Sequence, residues 1–174
     1  GSYCLLEFTW YKMFGCDFIK TVDTGLPVKM GIEKIKLETF FEKKPDIIMT
    51  CDPTNIFPSG SYRLNHPDHR YAGQVVLDAV FPAAGNIHFF PELYKEEGLE
   101  PHAPSEVWVS LTSNPDITLD VTDTWDIKVQ ALKEHKSQIG DPEKFVERIR
   151  NWRTSDSTET QPKYEEKFKL IKWA

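Results

Sequence analysis

Residues 45–53 read PDIIMTCDP and residues 66–85 read HPDHRYAGQVVLDAVFPAAG, and the order of these two runs decides the fold. In the first, Ile47, Ile48 and Met49 make a short continuous apolar run between polar punctuation, the pattern of a strand buried on both faces. In the second, Pro67 stands near a helix start and Tyr71, Val75, Val76, Ala79, Val80 and Ala83 recur at helical spacing, which predicts a mostly buried helix. Between them, TNIFPSGSYRLN (54–65) is a loop rich in Pro, Gly, Ser and Asn at the strand's expected carboxyl end. In open α/β sheets that end is where ligands bind. Upstream, Val28, Ile32, Ile35, Phe40 and Phe41, with charges between them and Pro45 as a stop, predict an amphipathic helix over 28–44. A helix leading into a buried strand is half of a parallel α/β unit.

Further out, the opening YCLLEFTWYKMFGCDFI reads as a strand or a short helix. EVWVSLT (106–112) and DITLDVT (116–122) read as strands separated by SNP turn chemistry, expected to pair antiparallel at one edge of the sheet. Asp123 or Thr124 is positioned to cap a helix that turns Trp125, Val129, Leu132 and Ile139 inward; after a break at IGDPE, Phe145, Ile149 and Trp152 repeat the pattern. KYEEKFKLIKWA closes the chain as a docked strand or helix. The expected fold class is therefore α/β: a three-layer sandwich with a mainly parallel sheet and a late antiparallel edge pair from the Trp108 and Leu119 segments. The competing class is an α+β domain without a parallel core.

The 174 residues fit one domain, and a composition of 40% hydrophobic and 28% charged residues is that of an ordinary globular protein. Lys and Arg number 21 against 27 Asp and Glu, so a net charge of -6 argues against a grip on nucleic acid or anionic lipid. Apolar stretches fall short of the roughly 18 residues of a spanning helix, so no membrane partner is expected. Cys4, Cys16 and Cys51 form no C-x-x-C pair, which suggests neither a disulfide framework nor a thiolate zinc knuckle and makes a reducing cytoplasm the expected location. Gly1-Ser2 reads as a tag remnant, with the natural N-terminus expected to lie outside the chain.

Titratable groups concentrate at one place, where His66 and His69 bracket Asp68 at the first turn of the expected helix. A neutral imidazole offers one nitrogen to a metal or a reacting oxygen when its other nitrogen is held, and Asp68 is the local candidate to hold it. The alternative is a capping turn in which Asp68 satisfies backbone donors and both imidazoles face solvent. A catalytic metal site needs three protein ligands, and His66, Asp68 and His69 are too close in sequence to supply all of them. Asp52, where the strand ends, either borders the pocket or caps the loop. Arg63 and Arg70 flank the motif and either meet an anionic substrate group or stay solvated. Cys51 reads as a small buried residue, and His88, His102 and His135 as surface or packing histidines. Trp125, Trp152 and Phe145 read as core rather than as a sugar-stacking platform.

KPDIIMTCDP (44–53), NHPDHRYAGQVVLDAVFPAAGN (65–86) and FPEL (90–93) resemble the second half of the LmbE-like, or PIG-L, de-N-acetylases, with similarity from about Ile32 to about Trp152. The sharpest part is HPDHR placed one loop after a P-D-I-I strand. The resemblance implies a Rossmann-like α/β fold and zinc-dependent hydrolysis of an acetamido group on a small N-acetylated amino sugar or its glycoside. By position, His69 resembles the zinc ligand of the second motif. His66 resembles the imidazole that stabilises the tetrahedral oxyanion or protonates the leaving amine, and Asp68 the carboxylate that orients it and tunes its pKa. Amide hydrolysis needs each of these roles.

The family's first motif, A-H-P-D-D-E, which supplies further zinc ligands and the general base, is absent from these residues. The expectation is therefore a single deacetylase domain over 1–174 that is truncated at its N-terminus, holds little zinc and is inactive as it stands. An uncovered sheet edge is expected to pair with another copy, as a homo-oligomer, or with the missing N-terminal segment. The alternative function is a non-catalytic binding or interaction module that kept the fold.

Overall fold

The computed structural model describes residues 3–5, 41–58 and 64–172, with residues 3–5, 137 and 138 as backbone only. Among the described residues, five strands, β1 (Tyr3–Leu5), β2 (Ile47–Cys51), β3 (Glu106–Ser110), β4 (Ile117–Asp120) and β5 (Glu165–Lys172), form one sheet in the order β1-β2-β3-β5-β4. The first three run parallel, with Tyr3 opposite Ile47 and Ile48 opposite Val107. β5 runs antiparallel to both of its neighbours, placing Leu170 opposite Trp108 and Glu166 opposite Leu119. The apolar run around Ile48 thus occupies an inner parallel strand, as its unbroken hydrophobicity requires.

The expected pairing of the Trp108 and Leu119 segments is corrected: β5 lies between them, and β3 and β4 share no ladder. The intervening SNP segment carries the chain past β3 instead of folding it back. Leu111 takes a left-handed φ of 53° directly after the strand. Asp116 then anchors to β5, its N–H donating to the Phe168 carbonyl at 3.0 Å and its carboxylate accepting from the Leu170 N–H at 2.7 Å. The eight residues of β5 are long enough to bond both partners.

Helices bounded within the described residues are α1 (Pro67–Asp78), α2 (Pro91–Lys95), α3 (Trp125–Lys133), α4 (Lys136–Ile139) and α5 (Pro142–Ile149). α1 continues in wider, π-type turns over Ala79–Ala84 and breaks at Phe81, whose φ of -140° and ψ of 124° are the extended values forced on a residue before proline. Gly73, Val76 and Val80 define its inward face. Tyr71, expected inside, is 57% exposed because it precedes Gly73 by only two positions and falls on the other side of the helix. Of the helix expected over 28–44, residues 41–43 are helical and Phe41 is buried, while Lys44 leaves the helix at a φ of 44°. The rest of that helix, and most of the opening aromatic stretch, lie outside the described residues.

Two cores result. Phe41, Ile48, Val76, Val80, Leu93 and Val107 bind α1 and α2 to the parallel strands. Each fully buried side chain of this kind contributes roughly 1.5–3 kcal/mol. The second core gathers Trp125, Phe145, Ile149 and Tyr164. The Trp125 and Tyr164 rings stack at 3.8 Å and 5°, whereas Trp152, expected in this core, leans edge-on at 6.2 Å and is 43% exposed. Thr124 stands at the N-cap of α3, one of the two positions expected, but its side chain makes no capping bond and its hydroxyl donates to the Val121 carbonyl at 3.2 Å instead. A 3-10 turn over Thr122–Thr124 leads into α3, and Asp120 accepts from the Thr122 N–H at 2.9 Å.

Candidate active site

The histidine motif is held at the carboxyl end of β2 by the absence of a side chain. Gly73 is buried against the strand end so closely that a Cβ there would lie 2.2 Å from the Cys51 carbonyl oxygen and 3.3 Å from Pro53 Cδ. Glycine is the residue that permits such an approach of two backbones. With α1 pinned there, its first turn projects from the end of the parallel strands.

His66 is the N-cap of α1, with φ -59° and ψ 138°, and its Nδ1 accepts from the backbone N–H of Asp68 at 3.2 Å. The imidazole, rather than the Asp68 carboxylate, satisfies this helix-end donor. A ring whose Nδ1 accepts carries its proton on Nε2, so the neutral imidazole presents an N–H donor outward. The Asp68 carboxylate oxygen Oδ2 lies 3.3 Å from the same Nδ1, and the two side chains are 64% and 78% exposed. When the ring is protonated, Nδ1 donates to that carboxylate instead. Asp68 therefore offers one nitrogen both a donor and an acceptor, which suits an imidazole that takes and returns a proton. The half-buried His69 ring stands 6.0 Å from that of His66, centroid to centroid, with 54° between the planes.

The loop before the motif is stitched to the strand ends. Asp52 accepts from the Thr54 N–H at 2.8 Å and the Thr54 hydroxyl at 2.6 Å. Burial acts to raise its pKa, but the hydrogen bonds from Thr54, Thr112 and Asn55 outweigh it and hold the carboxyl below its ordinary range. Its backbone N–H donates to the Ser110 carbonyl at 2.8 Å, extending the contact between β2 and β3. Asn55 Nδ2 donates to the Leu111 carbonyl at 2.5 Å. Asn65 is 3% exposed; its N–H donates to the Ile56 carbonyl at 2.9 Å and its Nδ2 to the Asn55 carbonyl at 3.1 Å. Arg70 Nε donates to the Asn65 carbonyl at 3.4 Å, which ties that side chain to the motif's own segment. Arg63 lies outside the described residues.

Sequence reading passed over Asn55 and Asn65, since an asparagine in a Gly- and Pro-rich loop looks the same whether it faces solvent or lies buried. Away from the motif, His102 bridges segments through Nε2, 2.8 Å from the Pro45 carbonyl oxygen, and Cys51 is fully buried.

His69 offers one imidazole to a metal, but the described residues contain no group of three or more His, Cys, Asp or Glu able to hold an ion. They do not by themselves complete a zinc site. Among them, no helix is long and apolar enough to cross a membrane.

No family model matches the chain. The diacetylchitobiose deacetylase of Thermococcus kodakarensis is 29% identical to it over 131 residues, which cover 74% of this chain and 44% of that protein. Among solved structures, the N,N'-diacetylchitobiose deacetylase from Pyrococcus horikoshii aligns with a TM-score of 0.68 at 25% identity, over 89% of this chain and 56% of that one. The 4-carboxy-2-hydroxymuconate hydratase of Pseudomonas putida, at 17% identity and a TM-score of 0.53, shares the fold alone. In sequence and in fold, the chain is similar to these two diacetylchitobiose deacetylases. It spans less than half the length of the Thermococcus protein and little more than half of the Pyrococcus chain.

Proposed function

We propose that the protein is a zinc-dependent N-deacetylase acting on an N-acetylated amino sugar, and that this chain supplies the histidine motif of its active site. What supports the reading most is the placement of His66, Asp68 and His69 on the first turn of α1, at the carboxyl end of β2, in a chain similar to two diacetylchitobiose deacetylases. The Rossmann-like three-layer arrangement and a cytoplasmic location belong to the same proposal. So does zinc, with His69 as one ligand and the remaining ligands contributed from outside the described residues.

On this reading the Nε2–H of His66 faces the acetamido oxygen and donates to it as negative charge develops there. Collapse of the tetrahedral intermediate expels an amine that needs a proton; the proton released when water adds to the amide supplies it, relayed by the His66 imidazole, whose Nδ1 the Asp68 carboxylate holds once the ring is protonated. Asp52 at the end of β2 and Arg70 in α1, each held by the loop hydrogen bonds already described, are the side chains assigned to the substrate on this reading. The second reading, a binding module without catalysis, rests on the absence of an A-H-P-D-D-E motif from the sequence. Incubation of the complete protein with N,N'-diacetylchitobiose separates the two. Acetate release that stops on chelation and returns with zinc supports the deacetylase; sugar binding without acetate supports the module.

A further inference from the structure

The imidazole cap of α1 is solvent-exposed on one side and needs fixed points to hold its geometry. One is the contact of Gly73 with Cys51, two helical turns further on. The other is the residue immediately before the cap. Asn65 is almost fully buried, and both its N–H and its Nδ2 are committed to the β2–α1 loop, through the carbonyls of Ile56 and Asn55. Asn55 in turn donates its side-chain N–H to the carbonyl of Leu111, the residue after β3. A continuous path therefore runs from the end of β3 through Asn55 and Asn65 to the peptide that carries His66.

We infer that Asn65, backed by Asn55, is a positioning residue for His66: it fixes the backbone of the cap and thereby keeps Nδ1 on the Asp68 amide and the proton on Nε2. Asn65 touches no reacting atom and acts through the ring it places. Replacement by Asp keeps the shape but turns a donor into an acceptor facing the Asn55 carbonyl, so a buried bond becomes a repulsion. The segment then shifts and the 3.2 Å bond between the Asp68 N–H and His66 Nδ1 is lost. Asn55→Asp breaks the same path one step earlier, at a half-buried loop position where a folded product is expected.

The inference rests on the deacetylase reading only for its consequence in catalysis, since the placement of the ring is measurable without substrate. Nitrogen-15 spectra of the histidine side chains report which imidazole nitrogen is protonated. In the wild-type chain the neutral ring of His66 is expected in the Nε2–H form. In Asn65→Asp and in Asn55→Asp it becomes a mixture of the two tautomers, with the Trp125 indole N–H signal unmoved as a check on the fold. In the complete protein, kcat for acetate release falls by roughly 10²-fold while KM stays unchanged, as for a misplaced catalytic group. If Asn65→Asp fails to fold, Asn55→Asp decides alone. His66 signals identical to wild type in a folded variant overturn the inference. Altered signals without acetate release from the wild-type protein leave it standing and defeat the deacetylase reading instead.

Discussion

Gly73 and Cys51 meet backbone to backbone: a Cβ on Gly73 would stand 2.2 Å from the Cys51 carbonyl oxygen, closer than any real contact allows. This one approach sets where α1 begins relative to the carboxyl end of β2, and hence where the two histidines stand. It also opposes local propensity. Alanine is favoured over glycine inside a helix by about 1 kcal/mol, so Gly73→Ala should stabilise an isolated α1. In the folded protein the overlap wins, and the variant is expected to lose about 1–3 kcal/mol in urea unfolding, as overpacked sites do. Equal or greater stability of Gly73→Ala would show that helix and strand are further apart.

The second core separates its two tryptophans. Trp125 is buried and stacked on Tyr164, so Trp125→Ala should cost about 3–5 kcal/mol, the range for deleting a buried aromatic ring. Trp152, with 43% of its surface exposed, should cost about 1 kcal/mol or less. Comparable losses for the two, read from the same denaturant titration, would place Trp152 in the core after all.

What the sequence disclosed and what it withheld divide along a physical line. The buried strand at Ile47–Cys51, the helix from Pro67 and the loop between them were legible because each depends on neighbours in sequence: an unbroken apolar run, a 3.6-residue period, turn-forming residues. The pairing of β3 with β5 was not, since it joins Val107 to Ile171 across most of the C-terminal half. Nothing near Trp108 announces a partner that arrives so late. Tyr71 and Trp152 fit the helical spacing yet face outward, because spacing marks a stripe without saying how wide the covered face is. At the candidate site, His66, Asp68 and His69 stood out as a cluster, whereas Asn65 matters through burial and bonds to distant carbonyls that no local pattern encodes.

Acid should weaken the fold through a defined set of carboxylates. The Asp156 pKa is held down to about 2 by Lys163, 2.6 Å away, and by the Thr154 hydroxyl. Asp116 is lowered by Lys169 and the Leu170 N–H, and Asp120 by its bonds from Thr122. Asp52 is lowered too, Thr54 leading the bonds that overcome its burial. Groups whose folded pKa lies below the unfolded value stabilise the native state above the unfolded pKa, near 3.9, and lose that contribution as pH falls through the folded pKa. Urea midpoints should therefore hold between pH 6 and 5 and decline steadily from about pH 4 toward pH 2. A midpoint unchanged at pH 3 would show that these carboxylates are no better placed in the folded chain than in the unfolded one.

The central claim is that the His66 imidazole does chemistry beyond capping α1, and His66→Asn tests it because asparagine is among the best capping residues and has no imidazole. The measurement is acetate released from N,N'-diacetylchitobiose by the complete protein, wild type beside His66→Asn, with an unfolding curve for each. The account predicts acetate from the wild type and a fall of roughly 10²–10⁴-fold in the variant, the range for losing a general acid. The unfolding free energy should stay within about 0.5 kcal/mol of the wild type. A variant that releases acetate as fast as the wild type, or a zinc-supplied wild type that releases none, would contradict it.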